Sequence, residues 1–244
     1  MKKKSMGGIL LAVISFISVY VYNNHKDKID DFLSEYIFLD ETSAYEIVSY
    51  DLEEIPEYSG EAYVIVNNNI PFFDEDDMTT NSFEKYSDLD KFGRCTSAYA
   101  NIGKELMPTE ERGSIGSVKP SGWHTVKYDI VEGKYLYNRC HLIGYQLTGE
   151  NANEKNLITC TRQMNVGAML EFENKVAEYI KDTNNHVLYR VTPIFEGDNL
   201  LVSGILLEAL SVEDNGEGIK FNVFIYNVQD GIIIDYSNGE SYPE

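Results

Sequence analysis

Between Asn138 and Glu173 the chain reads NRCHLIGYQLTGENANEKNLITCTRQMNVGAMLEFE, and four polar residues in it could do chemistry together: His141, Asn156, Asn165 and Glu173. A histidine takes a proton from water near neutral pH, because its unperturbed pKa is about 6.5. A hard divalent cation stabilises charge on a phosphate and on a departing oxygen, and one or two protein oxygens suffice to hold it if it keeps most of its waters. An asparagine oxygen meets that need. Glu173 follows Asn165 by a little over two helical turns, so both side chains can face one side of a helix. This set suits hydrolysis of a phosphodiester, with His141 as general base, Asn165 as metal ligand, Glu173 holding the water shell of the metal, and Asn156 supporting the site by hydrogen bonding. Taken singly, His141 reads as a core histidine, Asn165 as a helix cap and Glu173 as a solvated helix residue.

The flanking elements follow from pattern. Tyr63–Val66 reads as a strand and Asn67–Asn69 as a turn. Leu89–Ala100 reads as a turn into a strand, and Pro108–Gly122, with its glycines and prolines, as loop. Tyr135–Tyr137 and Leu157–Thr161 read as short strands on either side of the histidine. From Gln163 to Ile180, apolar residues at three- and four-residue steps predict a helix. Strands are then expected over 186–195, 201–212, 221–226 and 232–236, joined by Gly- and Asn-containing turns. The fold class is α+β, with an antiparallel sheet beside the motif helix. Asp74–Asp77 lacks the alternating carboxylates and central glycine of a calcium loop and reads as a solvated acidic loop.

Export is written in the first residues. Lys2, Lys3 and Lys4 precede an apolar run from about Ile9 to Tyr22 that has no small-residue cleavage site, which favours an uncleaved signal anchor over a removed peptide. The lysines would stay in the cytoplasm and the body would lie outside the cell membrane. Residues 23–60 are then an acidic stalk or extension, and residues 61–244 the functional domain. A net charge of −20 argues against a nucleic-acid partner on its sum, but not on its distribution. Residues 23–90 carry 19 acidic against 3 basic side chains, whereas residues 91–175 carry 11 basic against 9 acidic, so an anionic substrate meets the least repulsion at the motif. With three cysteines, at least one thiol stays free unless chains pair. Cys140 and Cys160 flank the motif and their pairing is left open; no CxxC or Cys/His cluster suggests zinc.

The motif resembles the DNA/RNA non-specific endonucleases with a ββα-metal core, and in particular the membrane-bound DNA-entry nucleases of Gram-positive bacteria. The family hallmark Asp-Arg-Gly-His stands here as Asn138-Arg139-Cys140-His141, so the arginine and histidine match and the first and third positions depart. Asn156, Asn165 and Glu173 follow at the family's spacings of 9 and 8 residues. The resemblance covers about Phe92 to Tyr236. It implies a magnesium-dependent endonuclease, with manganese as the alternative metal, acting on DNA and also on RNA with little sequence preference. It gives His141, Glu173, Asn156 and Arg139 to the catalytic centre and Asn165 to the metal. Arg139 next to His141 is expected to point to the opposite face of its strand, which leaves Arg94 and Arg162 as the candidates for contacting phosphate. Trp123, Tyr135, Tyr137 and Tyr145 could stack on bases or pack in the core. The competing readings are a non-catalytic surface nucleic-acid-binding domain and a secreted nuclease toxin; inhibitor or DNA-uptake partners are not legible.

Overall fold

The computed structural model describes residues 55–244; the expected anchor and the stalk up to residue 54 lie outside the described residues. Among the described residues no helix is long and apolar enough to cross a membrane.

Six strands form an antiparallel sheet. They are β1 (Tyr63–Ile65), β2 (Phe83–Tyr86), β3 (Ala98–Ile102), β6 (Val187–Ile194), β7 (Gly204–Ser211) and β8 (Lys220–Tyr226), in the order β1-β8-β7-β6-β3-β2. The central strands are buried along almost their whole length, as expected for strands covered on both faces. One charged pair lies within this buried layer. Arg190 and Glu208 stand opposite each other in the β6–β7 register. Arg190 Nε meets Glu208 Oε2 at 2.8 Å, and both residues also bond the backbone of Phe72.

Between β3 and β6 the chain builds a second unit that carries the motif. β4 (Tyr137–His141) and β5 (Leu157–Thr161) form a separate antiparallel ribbon. A short helix, α1 (Tyr145–Thr148), lies between them. After β5 come the turn α2 (Arg162–Met164), a π-helical turn over Asn165–Met169 and the helix α3 (Leu170–Thr183). The ribbon followed by this helix is a ββα arrangement. Phe172, Val176, Ala177 and Ile180 form the apolar stripe of α3 and share one core with Tyr189, Ile205 and Phe221 of the sheet. The helix thereby holds the ribbon against the sheet.

Several details differ from the pattern reading. The motif strand starts at Tyr137 and runs through His141, two residues later than Tyr135, because Tyr135 makes only an isolated bridge to Lys127. The expected single helix is interrupted at Asn165–Met169, where Gly167 has φ −90° and ψ −114°. The last expected strand, β9 (Ile232–Ile234), does not join the sheet and pairs instead with β10 (Ser241–Pro243). β2, an edge strand with the pattern FEKY, was not foreseen; its two central residues are polar and exposed. Ile55 and Tyr58 pack on Phe224 and Tyr226, so chain ahead of residue 61 already contacts the sheet.

Candidate active site

His141 closes β4 and is 6% exposed. Its Nε2 lies 2.7 Å from the carbonyl oxygen of Asn151. A carbonyl only accepts, so Nε2 carries the proton and Nδ1 holds the lone pair. Nδ1 faces Arg112, whose guanidinium nitrogen donates to it at 3.3 Å. Burial lowers the His141 pKa, and the Arg112 charge lowers it further against the opposing Asn151 hydrogen bond. The imidazole is therefore neutral at pH 7, the state a general base needs.

Asn156 is fully buried and fixes the chain just beyond the histidine. Its Oδ1 accepts from the Ile143 N–H at 2.9 Å, and its Nδ2 donates to the Ile143 carbonyl at 3.0 Å. A third bond, from the Leu142 N–H to the Asn156 carbonyl, continues the same clamp at 2.9 Å. Asn156 thus acts by hydrogen bonding, on the backbone rather than on a reacting atom.

Asn165 opens the π-helical turn. It is not the helix cap, because Thr161 fills that role by accepting from the Met164 N–H. Asn165 Nδ2 donates to Asn138 Oδ1 at 3.2 Å, which leaves its Oδ1 as an acceptor. Asn138 therefore orients the Asn165 amide. The side chain of Glu173 lies along the same cavity wall, with its carboxylate enclosed beside Gly144: a Cβ added there would stand 2.5 Å from Glu173 Oε2. Burial pushes the Glu173 pKa up to about 7, against a hydrogen bond from Gln146 and the charge of Arg112.

His141, Asn165, Glu173, Arg112 and Arg139 line one cavity of about 350 Å³. A second cavity of about 570 Å³ adjoins it and shares Arg112, Arg139 and Asn165 with it. Arg139 corrects the strand argument. It stands two residues from His141, one full strand period, and so shares its face rather than opposing it. Its guanidinium donates to the carbonyls of Val118 and Gly116 and stacks 3.9 Å from the Trp123 ring centroid. Arg94 lines neither cavity. It pairs with Asp90 at 2.7 Å, donates to the carbonyls of Gly197 and Asn199, and lies over the rings of Phe92 and Phe195. Arg162 does line the second cavity. Arg112 was missed. It sits in the Gly- and Pro-rich loop before the motif, where no periodicity marks it, and only the excess of basic residues over 91–175 hinted at it.

Cys140 and Cys160 are joined in a disulfide across the ribbon, with their Cα atoms 5.9 Å apart. It ties the strand that ends in His141 to the strand that leads to Asn165. Cys95 is the free cysteine among the described residues and is buried.

Among the described residues no group of three His, Cys, Asp or Glu side chains could hold a metal. The donor set still fits a hard cation that keeps its waters. One amide oxygen is turned free by Asn138, and the enclosed carboxyl group of Glu173 lies on the same cavity wall.

Two strands carrying a histidine, followed by a helix carrying an asparagine and a glutamate, define the ββα-metal nuclease fold. The chain belongs to the DNA/RNA non-specific endonuclease family, whose model matches residues 75–212. A solved structure of NucA from Streptococcus agalactiae with magnesium bound is 26% identical, covers 74% of this chain and 86% of its own, and superposes with a TM-score of 0.65. The Sda1 nuclease with bound zinc is 25% identical over 80% of this chain and all of its own, with a TM-score of 0.61. A curated deoxyribonuclease from Streptococcus dysgalactiae subsp. equisimilis is 27% identical, and the match spans 63% of this chain and 59% of that relative's length.

Proposed function

We propose that this chain is a divalent-metal-dependent endonuclease that hydrolyses phosphodiester bonds in DNA, and also in RNA, with little sequence preference. The observation that carries this reading is the fixed tautomer of a buried, neutral His141 in the same cavity as an oriented Asn165 oxygen and an enclosed Glu173. His141 Nδ1 takes the proton of the attacking water, and the Asn151 carbonyl holds the ring and stabilises the imidazolium that forms. Asn165 would hold magnesium, with manganese as the alternative, and Glu173 would hold the water shell of the metal. When bound, the cation supplies charge stabilisation to the phosphate and the leaving oxygen. Arg112 and Arg139 add fixed positive charge on the same wall. Contacts to phosphate and metal rather than to base edges leave sequence unread.

The NucA and deoxyribonuclease relatives support nuclease activity by likeness, and the solved relatives hold magnesium in NucA and zinc in Sda1. Export to the cell surface through an uncleaved anchor fits the Cys140–Cys160 disulfide, which persists in oxidising compartments. The domain limits, 1–22 anchor, 23–60 extension and 61–244 nuclease, are part of the same proposal. The test is digestion of supercoiled plasmid and of RNA by the full chain with magnesium, with manganese and with a chelator. Cutting of both substrates that the chelator abolishes is expected. A folded chain that cuts neither, in any divalent metal, returns the reading to a surface nucleic-acid-binding domain.

A further inference from the structure

The second cavity, of about 570 Å³, is not needed by the hydrolytic step, yet it opens beside it and shares Asn165, Arg112 and Arg139 with it. Its volume lies within the roughly 300–1,000 Å³ of small-molecule sites. Three features set it apart from packing space. Tyr135 lines it with 47% of its surface exposed, whereas core packing would have hidden the ring. Lys127 Nζ stands 4.4 Å from that ring's centroid, and Trp123, under the Arg139 guanidinium, adds a second aromatic group to the wall. Arg162 reaches in with its Nε buried and without a hydrogen-bond partner. Its only ion-pair partner among the described residues is Glu132, 3.8 Å away on a side chain that is 80% exposed, a contact of little worth in water.

These groups ask for a ligand with three parts. A flat ring suits Tyr135, an anion suits Arg162, and a hydrogen-bond donor suits Glu132. A nucleotide has all three: base, phosphate, and an exocyclic amine or sugar hydroxyl. We propose that this cavity is a subsite for one unstacked nucleotide next to the scissile phosphate, with the base against Tyr135 and the phosphate on Arg162. The proposal rests on the nuclease reading of the adjoining site. A base held in a duplex stack does not reach a concave pocket of this kind, so single-stranded or locally opened nucleic acid is the form it takes up.

Trp123 is the chain's sole tryptophan, so its fluorescence reports on this cavity directly. The full chain in chelator is titrated with 2′-deoxyadenosine 5′-monophosphate, 2-deoxyribose 5-phosphate and inorganic phosphate, with plasmid cleavage measured in parallel. The nucleotide is expected to bind saturably and on the order of tenfold more tightly than deoxyribose phosphate, since stacking on one aromatic accounts for that much. Tyr135→Ala should remove that advantage and Tyr135→Phe should keep it, while Arg162→Gln should weaken all three ligands; circular dichroism confirms folding of each variant. Equal binding of nucleotide and deoxyribose phosphate, or wild-type binding by Tyr135→Ala, overturns the subsite. A chain that cuts plasmid but shows no base-dependent binding loses the subsite and keeps the nuclease reading. Base-dependent binding without cutting leaves a nucleotide pocket but overturns both the nuclease reading and the placement beside a scissile phosphate.

Discussion

Arginines in two regions of this molecule lead different lives. In the sheet, Arg190 is matched by Glu208 and the Phe72 carbonyl, and at the sheet's end Arg94 is matched by Asp90, two carbonyls and two aromatic rings. Around the ββα unit, Arg112 faces a neutral histidine and Arg162 has one distant, exposed partner. A cation whose hydrogen bonds are complete supports the fold. A cation left incomplete beside a cavity is available to an anionic substrate, and the incompleteness is the better marker of function. By sequence Arg94 and Arg162 looked equivalent; their surroundings separate them.

The comparison breaks most visibly if the two groups exchange phenotypes. Arg190→Ala leaves Glu208 buried and unpaired and should cost about 3–5 kcal/mol in urea unfolding, with kcat per folded molecule unchanged. A specific loss of kcat in a well-folded Arg190→Ala chain would erase the distinction. Arg112→Ala should do the opposite: activity on plasmid down roughly 10- to 100-fold, and stability within about 0.5 kcal/mol of wild type. Gly144→Ala sharpens the contrast within the site. The new methyl would have to displace the Glu173 carboxylate, the movable end of a side chain, so the fold tolerates it while activity drops about tenfold. Unaltered cleavage by Gly144→Ala would remove Glu173 from the catalytic set.

The smallest expected effect is on pH. His141 has a pKa lowered by burial and by Arg112, so cleavage should stay high at pH 7 and fall only below the ordinary histidine value of about 6.5. Arg112→Ala removes the second of these causes and leaves burial, the larger one, so its acid limb should move slightly to higher pH. The same shift acts on stability. The unfolded chain takes up the His141 proton before the folded one does, so His141's contribution is present above about pH 6.5 and declines as pH falls through that value toward the folded pKa. A pH–rate profile of the two proteins checks the first point, and urea midpoints across the acid range check the second.

Much of this was legible before any coordinates. The alternating runs around 187–194 and 220–226 and the long apolar run around 204–211 formed strands between the expected turn residues. The helix stripe around Phe172 and Ile180 did the same for α3. The motif residues His141, Asn165 and Glu173 come together at one cavity because strand, turn and helix follow each other with no long loop after Asn156. What periodicity could not show was anything set by tertiary contact. Arg112 comes from a loop with no pattern, and the role of Asn138 depends on a hydrogen bond to a residue 27 positions away. The Cys140–Cys160 bond depends on the ribbon register. The π-helical turn that begins at Asn165 has no signal in a pattern read at 3.6 residues per turn.

The central claim is that His141 Nδ1 is the base. The most direct measurement is plasmid cleavage by His141→Ala, in magnesium, with and without added imidazole. The account predicts a loss of roughly 10²- to 10⁴-fold in rate, partly restored by imidazole in a concentration-dependent way and more strongly as pH rises through the imidazole pKa. Cleavage by His141→Ala at the wild-type rate would contradict it.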